Sequence, residues 1–419
     1  MNVNDSEKIR HILEIRGLVR AERESDADVV VVNTCAVRQK PQEKIYSYIG
    51  RLPPGKKIVI AGCVAQLERE GIIRRNPRVA FVVGTHQFQH LDRLLAETAF
   101  QPEKRVTAAF SREWHELVPA AACRESPVSA YISIMEGCDN FCSYCIVPHV
   151  RGREKHRPFG PILAEAEYLA RSGFREISLL GQNVNHWRDD KAGMTFAQLL
   201  DRLAERVPVR WIRFVTSYPG YHDNELIAVM ARHERLARHV HFPAQTGSTR
   251  ILKRMARSYS RSDYLAAVAA FRKKIPAMAF SSDFIVGFPG ETERDFRLTL
   301  TLLEQVEYES IFSFVYSPRP WTKALGFADD TPAAEKKERL HRLQEVQEKI
   351  QLRNNRKRIG RILEVLVSEP HPKKGGEMIG RSETHRVVNF ASRTPVGEFT
   401  RVKITAAGPH SLRGTEVAE

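Results

Sequence analysis

Three short apolar runs lie in the first part of the chain, and residues of helical character separate them. The runs are rich in valine and isoleucine and span Asp28–Cys35, Lys57–Cys63 and Ala80–Gly84. Runs without polar alternation are typical of strands buried on both faces of a parallel sheet. Helices fit at about Gln39–Leu52 and Leu67–Arg75. Residues 1 to about 118 are therefore predicted to form an open parallel α/β domain.

Strand and helix patterns alternate from Ala130 to about Ala328. The predicted strands are Tyr131–Met135, Glu176–Leu180, Trp211–Val215, His239–Phe242, Phe280–Val286 and Ser310–Val315. The predicted helices are Ile162–Arg171, Phe196–Arg206, Asn224–Ala231, Arg261–Phe271 and Glu293–Leu303. This alternation indicates a second parallel sheet, either open or curled into a partial (β/α) barrel.

The last hundred residues change character. A charged helix is predicted from Pro332 to about Arg358, and short alternating runs separated by turn clusters follow it. These runs predict a small β-barrel. Its basic side chains and Phe390 make it a candidate RNA-binding module, although a charged face is equally often only solvated. The predicted domains are therefore 1–118, 119–358 and 359–419.

Charge and composition narrow the class of partner. The formal net charge of +15 favours a polyanionic partner. No apolar run reaches the ~18 residues needed to span a bilayer, and the first residues do not resemble a secretion signal. The chain has six cysteines, and three of them are clustered. This pattern is more typical of a protein in a reducing compartment than of a disulfide-bonded protein. We therefore expect a cytoplasmic protein without a membrane segment, and a monomer.

The clustered cysteines are Cys138, Cys142 and Cys145, with the spacing C-x3-C-x2-C after a predicted strand. Three thiolates in one loop can hold three irons of a cubane cluster and leave the fourth iron open. A structural zinc site would need a fourth ligand at a conventional spacing, and none lies nearby. The pattern therefore favours an iron–sulfur cluster over zinc. Cys123 belongs to no motif.

Polar residues also follow the other predicted strands. Because ligands collect at the carboxyl ends of parallel strands, these residues are candidates for a pocket lining. The candidates are Gln182, Asn183, Ser217, Gln245 and Asp283. In the first domain Cys35 and Cys63 each follow a strand. They could be ligands at one site or two small buried apolar residues, and their matched placement favours ligands.

The cysteine motif resembles that of the radical S-adenosylmethionine superfamily, and the order of domains is similar to that of the methylthiotransferases. Within that group the chain resembles the MiaB-type tRNA enzymes, which carry a C-terminal TRAM domain. The segments that carry this resemblance are Val32–Arg38, Gly62–Cys63, Gly137–Pro148, Arg151–Glu154, Leu179–Asn185, Ile285–Glu291, Tyr316–Pro320, Arg386–Phe390 and His410–Gly414.

The resemblance implies methylthiolation of carbon 2 of N6-isopentenyladenosine, next to the anticodon of tRNA. It implies that Cys138, Cys142 and Cys145 hold a [4Fe-4S] cluster that binds S-adenosylmethionine. Cys35 and Cys63 match two of the three ligands of a second cluster, the sulfur source. The implied partners are tRNA and a flavodoxin- or ferredoxin-like electron donor, and the sulfur donor stays unidentified.

Two alternatives stay open at this point. One is a methylthiotransferase that acts on threonylcarbamoyl-adenosine in tRNA or on a ribosomal protein. The other is a zinc-dependent RNA-binding protein without catalysis. The family pattern begins Gly-Cys-Gln-Met-Asn, and Met1–Glu7 aligns with the end of that pattern. The third cysteine would then fall before Met1, so that either the start lies upstream or the second cluster lacks one protein ligand.

Overall fold

Two compact units make up the computed structural model, which describes residues 1–36, 39–96, 106–221 and 223–417. The first unit combines residues 1–125, 135–157 and 317–325. The second combines residues 126–134, 158–316 and 326–419. The domain boundaries at residues 118 and 358 stay a prediction, and Val37 and Arg38 of the N-terminal motif lie outside the described residues.

Four parallel strands in the order β1-β2-β3-β4 form the sheet of the first unit. Strands are numbered along the whole chain, and those of this unit are β1 (Val29–Thr34), β2 (Lys57–Gly62), β3 (Val79–Val83), β4 (Val106–Thr107), β6 (Met135–Glu136) and β7 (Lys155–His156). Its helices are α1 (Asn2–Ile15), α2 (Gln39–Arg51), α3 (Cys63–Glu68), α4 (Glu70–Arg75), α5 (Leu91–Ala96) and α6 (Val147–Arg151). The three apolar runs thus form the predicted parallel strands.

Apolar side chains cover both faces of this sheet, as its unbroken apolar runs require. Ile58 and Ile60 point into one cluster with Ile49 of α2. Val59 points into the other cluster with Ile9 of α1. One prediction is wrong in detail, because the helix expected over Leu67–Arg75 is two helices. They are separated at Arg69, whose φ of 49° and ψ of −122° are incompatible with a continuous helix.

Two three-stranded parallel sheets, in the orders β11-β8-β5 and β12-β13-β14, form the framework of the second unit. The strands are β5 (Ser129–Ser133), β8 (Glu176–Leu180), β9 (Arg188–Asp189), β10 (Met194–Thr195), β11 (Trp211–Phe214), β12 (His239–His241), β13 (Ala279–Val286) and β14 (Ser310–Val315). The helices are α7 (Phe159–Arg171), α8 (Phe196–Arg206), α9 (Asn224–Arg232), α10 (Thr249–Arg254), α11 (Arg261–Lys274), α12 (Glu293–Val306) and α13 (Ala333–Arg356). A parallel bridge between Ile212 and Leu236 links the sheets.

Hydroxyl side chains set the starts of several of these helices. Thr195, Ser260 and Thr292 each accept a hydrogen bond from the third residue of their helix, whose side chain accepts from the cap in return. Each such capping box satisfies two backbone donors that the first turn leaves open, worth typically ~1 kcal/mol. The predicted first residues of these helices, Phe196, Arg261 and Glu293, are the observed ones.

The chain ends in the predicted small barrel. Its strands β15 (Ile362–Pro370), β16 (Glu377–Ser382), β17 (Val387–Ala391), β18 (Phe399–Ala407) and β19 (Ser411–Glu416) close in the order β15-β16-β17-β19-β18. Val365, Val388 and Leu412 are fully buried in its core. Within the described part of the chain, no helix is both long and apolar enough to cross a membrane.

Candidate metal centres and cofactor pocket

Cys138, Cys142 and Cys145 lie in the loop between β6 and α6. The antiparallel pairing of β6 with β7 closes the base of this loop, and the amide of Cys138 donates to the Gly152 carbonyl at 3.2 Å. The amide of Cys145 donates to the Cys142 carbonyl at 2.9 Å, which turns the chain back between the last two cysteines. The three side chains are half-buried or buried, and none forms a disulfide.

Glycine is required at the entrance to this loop. Gly137 has φ of +83°, and a Cβ there would collide with the carbonyl group of Arg153. The backbone can pass this close to Arg153 only without a side chain, so Gly137 fixes where Cys138 begins the loop.

The electrostatics of the loop fit a bound cation. Burial raises the pKa of the Cys138 thiol to about 11, although hydrogen bonds from Asn140 act in the opposite direction. A thiol of this kind ionises when a metal supplies the compensating charge. Three thiols on one loop suit three irons of a cubane cluster, and the residues present therefore fit the group that their spacing predicts.

Cys35 and Cys63 lie at the same edge of the first parallel sheet. Thr34 and Gly62 are register partners at the ends of β1 and β2, and each cysteine is the next residue. The Thr34 hydroxyl donates to the Ala61 carbonyl at 2.6 Å and accepts from the Val64 amide at 3.0 Å, which joins the two strand ends. The structure thus brings together the two cysteines that the sequence analysis paired.

Arg151 is a buried residue that the sequence analysis quoted only as part of a motif. Its buried guanidinium donates to both carboxylate oxygens of buried Asp5, in a hydrogen-bonded ion pair. Burial raises the pKa of the Cys63 thiol, and Arg151 opposes this shift through its charge and a hydrogen bond. Arg151 ends α6, directly after the cysteine loop, so it joins the two groups of cysteines within one unit. The motif Arg151–Glu154 was its only signal in the sequence.

A third segment completes the surroundings of the cysteines. The amide of Ala324 donates to the carbonyl of Ser143, inside the cysteine loop, at 2.8 Å. Burial lowers the pKa of Arg319, and the nearby Cys35 side chain opposes that shift. The segment that contains Arg319 and Ala324 therefore approaches both the cysteine loop and Cys35, although it is far from both in the sequence.

The sixth cysteine, Cys123, has a different setting. Its buried thiol donates to Glu14 Oε2 at 3.1 Å, and burial raises its pKa to about 11. It lies outside both groups, as the sequence analysis expected.

The five predicted pocket residues line one edge of the sheets in the second unit. Backbone hydrogen bonds join the strand ends in series, from Val184 to Thr216 at 3.1 Å, from Ser217 to His241 at 3.2 Å, and from Gln245 to Asp283 at 2.8 Å. Gln182, Asn183, Ser217 and Gln245 follow their strands, Asp283 lies inside β13, and these bonds bring neighbouring strands together along a shared rim.

Two features of this rim are unusual for a purely structural edge. Thr216 and Gln245 have φ of +69° and +68°, which is costly for side chains other than glycine. The buried Ser217 hydroxyl has no hydrogen-bond partner among the described residues. Strained backbone and unsatisfied buried polar atoms gather at binding sites, where a ligand supplies the missing contact.

The structure of the barrel shows that part of the predicted RNA-binding surface is wrong. Phe390 is 1% exposed and belongs to the barrel core, so it cannot stack on a base. Arg386 is buried, and its Nε donates to Glu309 Oε1 at 2.8 Å. Glu309 also accepts from Arg358, so these two arginines anchor the barrel within its unit. Lys403 and His410 remain exposed and available to phosphate.

Three family models match separate parts of the chain. Residues 132–303 match the Radical SAM superfamily, residues 1–84 match Uncharacterized protein family UPF0004, and residues 356–417 match the TRAM domain. Among solved structures, the radical S-adenosylmethionine methyltransferase TsrM from Kitasatospora setae has a TM-score of 0.57 at 16% identity. That match covers 77% of this chain and 73% of that one, and it shows a shared fold.

Curated relatives are similar over their full length. The tRNA-2-methylthio-N(6)-dimethylallyladenosine synthase of Bdellovibrio bacteriovorus is 40% identical over 99% of this chain and 92% of its own. The enzyme of the same name from Syntrophobacter fumaroxidans is 42% identical, covering 99% and 93%. That from Ralstonia pickettii is 41% identical, covering 100% and 96%. The chain is therefore a radical S-adenosylmethionine enzyme with a [4Fe-4S] cluster and S-adenosylmethionine as cofactors, and it belongs to the tRNA-2-methylthio-N(6)-dimethylallyladenosine synthase family.

Proposed function

We propose that this protein methylthiolates carbon 2 of N6-isopentenyladenosine next to the anticodon of tRNA. The observation that carries the proposal is the presence of two groups of cysteines in one compact unit, joined through Arg151 and Asp5. A cluster that binds S-adenosylmethionine and a second site for sulfur are the two metal centres that such a reaction needs. Full-length similarity to enzymes named for this product supports the same conclusion.

The cysteines have separate roles in this proposal. Cys138, Cys142 and Cys145 hold the cluster that binds S-adenosylmethionine, because one short loop presents all three. Cys35 and Cys63 supply two ligands of the auxiliary cluster. When bound, these cofactors supply a radical able to remove hydrogen from carbon 2, together with the sulfur and methyl groups.

The protein itself binds and orients S-adenosylmethionine and shields the reacting groups. The rim formed by Gln182, Asn183, Ser217, Gln245 and Asp283 holds S-adenosylmethionine. Among these residues, Ser217 has a buried hydroxyl group without a hydrogen-bond partner in the described part of the chain, and this hydroxyl forms a hydrogen bond to the ligand. Arg151 keeps positive charge beside Cys63, which favours its thiolate form.

The proposed partners follow from the same assignment. The C-terminal barrel binds tRNA through exposed basic side chains such as Lys403, because phosphate contacts dominate affinity for nucleic acids. A flavodoxin- or ferredoxin-like protein supplies electrons, and the enzyme acts as a monomer in the cytoplasm.

Mass spectrometry of tRNA nucleosides from a strain that lacks this protein tests the proposal. Unmodified isopentenyladenosine should accumulate, and the 2-methylthio form should disappear. A gene for Cys123→Ala should restore the modification, whereas a gene for Cys142→Ala should not. Normal 2-methylthio-isopentenyladenosine with loss of a methylthiolated threonylcarbamoyl nucleoside or ribosomal protein would instead identify the alternative substrate.

A further inference from the structure

Trp321 is an exposed aromatic side chain on a strained backbone. Its side chain is 58% exposed, and its φ is +62°. Left-handed φ is a true outlier for a bulky residue, because Cβ crowds the following carbonyl group. Neither the burial of apolar surface nor the local backbone therefore explains a tryptophan at this position.

The type of turn around Trp321 makes a tryptophan at this position even more unusual. Residues 319–322 form a turn in which the Thr322 hydroxyl donates to the Arg319 carbonyl at 2.8 Å. Pro320 occupies its second position, and the positive φ occurs at the third, as in a type II turn. Glycine or asparagine normally fills that third position. Strain of this kind persists mostly where a side chain has a function.

The location indicates which function. Two residues after Thr322, the amide of Ala324 donates to Ser143 in the cysteine loop. The Trp321 ring centroid is 6.0 Å from that of His149 in α6, the helix that follows this loop. The indole thus lies beside the loop assigned to the cluster that binds S-adenosylmethionine, and the reacting base must come close to that cofactor.

Phe141 offers an instructive contrast within the same unit. It is also exposed and has a positive φ of 44°, but the Arg153 guanidinium lies 4.6 Å from its ring centroid. One face of the Phe141 ring is therefore already covered. Trp321 has the larger ring and the greater exposure of the two.

We propose that Trp321 stacks on the N6-isopentenyladenine base and is a specificity-determining residue for the RNA substrate. An indole suits this base because it is a flat π-system and the prenyl group adds apolar surface. The inference rests on the proposed function and deepens it. Stacking of a base on an aromatic residue changes affinity by roughly 5- to 150-fold.

A double-mutant cycle on the reconstituted full chain tests this inference. Fluorescence anisotropy gives the Kd for a labelled anticodon stem-loop with isopentenyladenosine and for the same stem-loop with an abasic site there. Trp321→Asn should weaken binding of the prenylated stem-loop by roughly 5- to 150-fold and leave the abasic one within about twofold. Trp321→Phe should keep most of the affinity.

Two controls separate stacking from a structural role. Asparagine tolerates left-handed φ, so Trp321→Asn should not lower the Tm. Leu325→Asn makes a similar change at a side chain that is 55% exposed on the same segment, and it should leave both Kd values unchanged.

Three outcomes would overturn the inference. In the first, Trp321→Asn binds the prenylated stem-loop as tightly as the wild type does. In the second, Trp321→Asn loses the same affinity for the abasic stem-loop as for the prenylated one. In the third, Trp321→Asn weakens the binding of S-adenosylmethionine and not that of RNA. If the wild-type protein did not prefer the prenylated stem-loop to the abasic one, the proposed function itself would fail. A negative result on Trp321 alone would leave the proposed function standing.

Discussion

The two groups of cysteines are built in different ways. Cys138, Cys142 and Cys145 share one loop, whose shape depends on Gly137 and on the pairing of β6 with β7. Cys35 and Cys63 meet only because β1 and β2 pair in a particular register and α3 begins directly after β2. A buried ion pair from a third segment, Arg151 with Asp5, then supports Cys63. The first site is therefore local, and the second depends on the whole unit.

The largest expected effect comes from breaking the local site. Cys142→Ala should abolish cleavage of S-adenosylmethionine, because two thiolates cannot hold the cubane with an open iron. Production of 5′-deoxyadenosine after anaerobic reconstitution measures this. Cys123→Ala is the matched control, since it removes a buried thiol outside both groups and should preserve cleavage. Wild-type turnover by Cys142→Ala would contradict the assignment of the loop.

The next effect tests how far the second site depends on tertiary contacts. Arg151→Met leaves the Asp5 carboxylate buried without its partner, which should cost about 3–5 kcal/mol of unfolding free energy. Hydrogen exchange of amides in β2 and β3 reports this locally.

A neighbouring arginine provides the control for Arg151. Arg153 is exposed and forms its ion pair with Asp139 at the surface, so Arg153→Met should cost under about 1 kcal/mol. Replacing Asp5 by leucine together with Arg151→Met should recover part of the stability. Equal protection in all these variants would show that the ion pair does not support the site.

A smaller effect is expected at the rim of the second unit, where four strands contribute residues. Ser217→Ala should weaken binding of S-adenosylmethionine by roughly 2- to 12-fold, the net value of one neutral hydrogen bond. It should not lower stability, because the hydroxyl has no partner among the described residues. Ser282→Ala is the control, since its hydroxyl already accepts from the Ala244 amide at 2.9 Å and should affect stability more than ligand affinity. Isothermal titration separates the two variants.

The smallest effect is expected in the barrel, whose strands come from one continuous stretch of chain. Lys403→Ala should reduce the slope of log K against log salt for tRNA by about 0.9, because one phosphate contact is lost. Lys273→Ala removes a comparable exposed charge from α11 and should leave the slope unchanged. An unchanged slope for Lys403→Ala would place the tRNA contact on another face.

The sequence by itself determined the elements and the chemistry that depends on neighbouring residues. The patterns of apolar and polar residues predicted β8, β14 and α8 with the bounds observed, because strand burial and helix periodicity are local properties. The spacing of Cys138, Cys142 and Cys145 likewise predicted one shared loop, since three residues so close in the chain cannot lie far apart.

Only the tertiary structure decided which distant segments meet. The pairing of Arg151 with Asp5, the burial of Phe390, and the contact of Ala324 with Ser143 join residues far apart in sequence, so no local pattern reveals them. Phe390 is an example. The alternation of apolar and polar residues along a strand indicates that one face is buried, but the closure of the barrel decides which face forms the core.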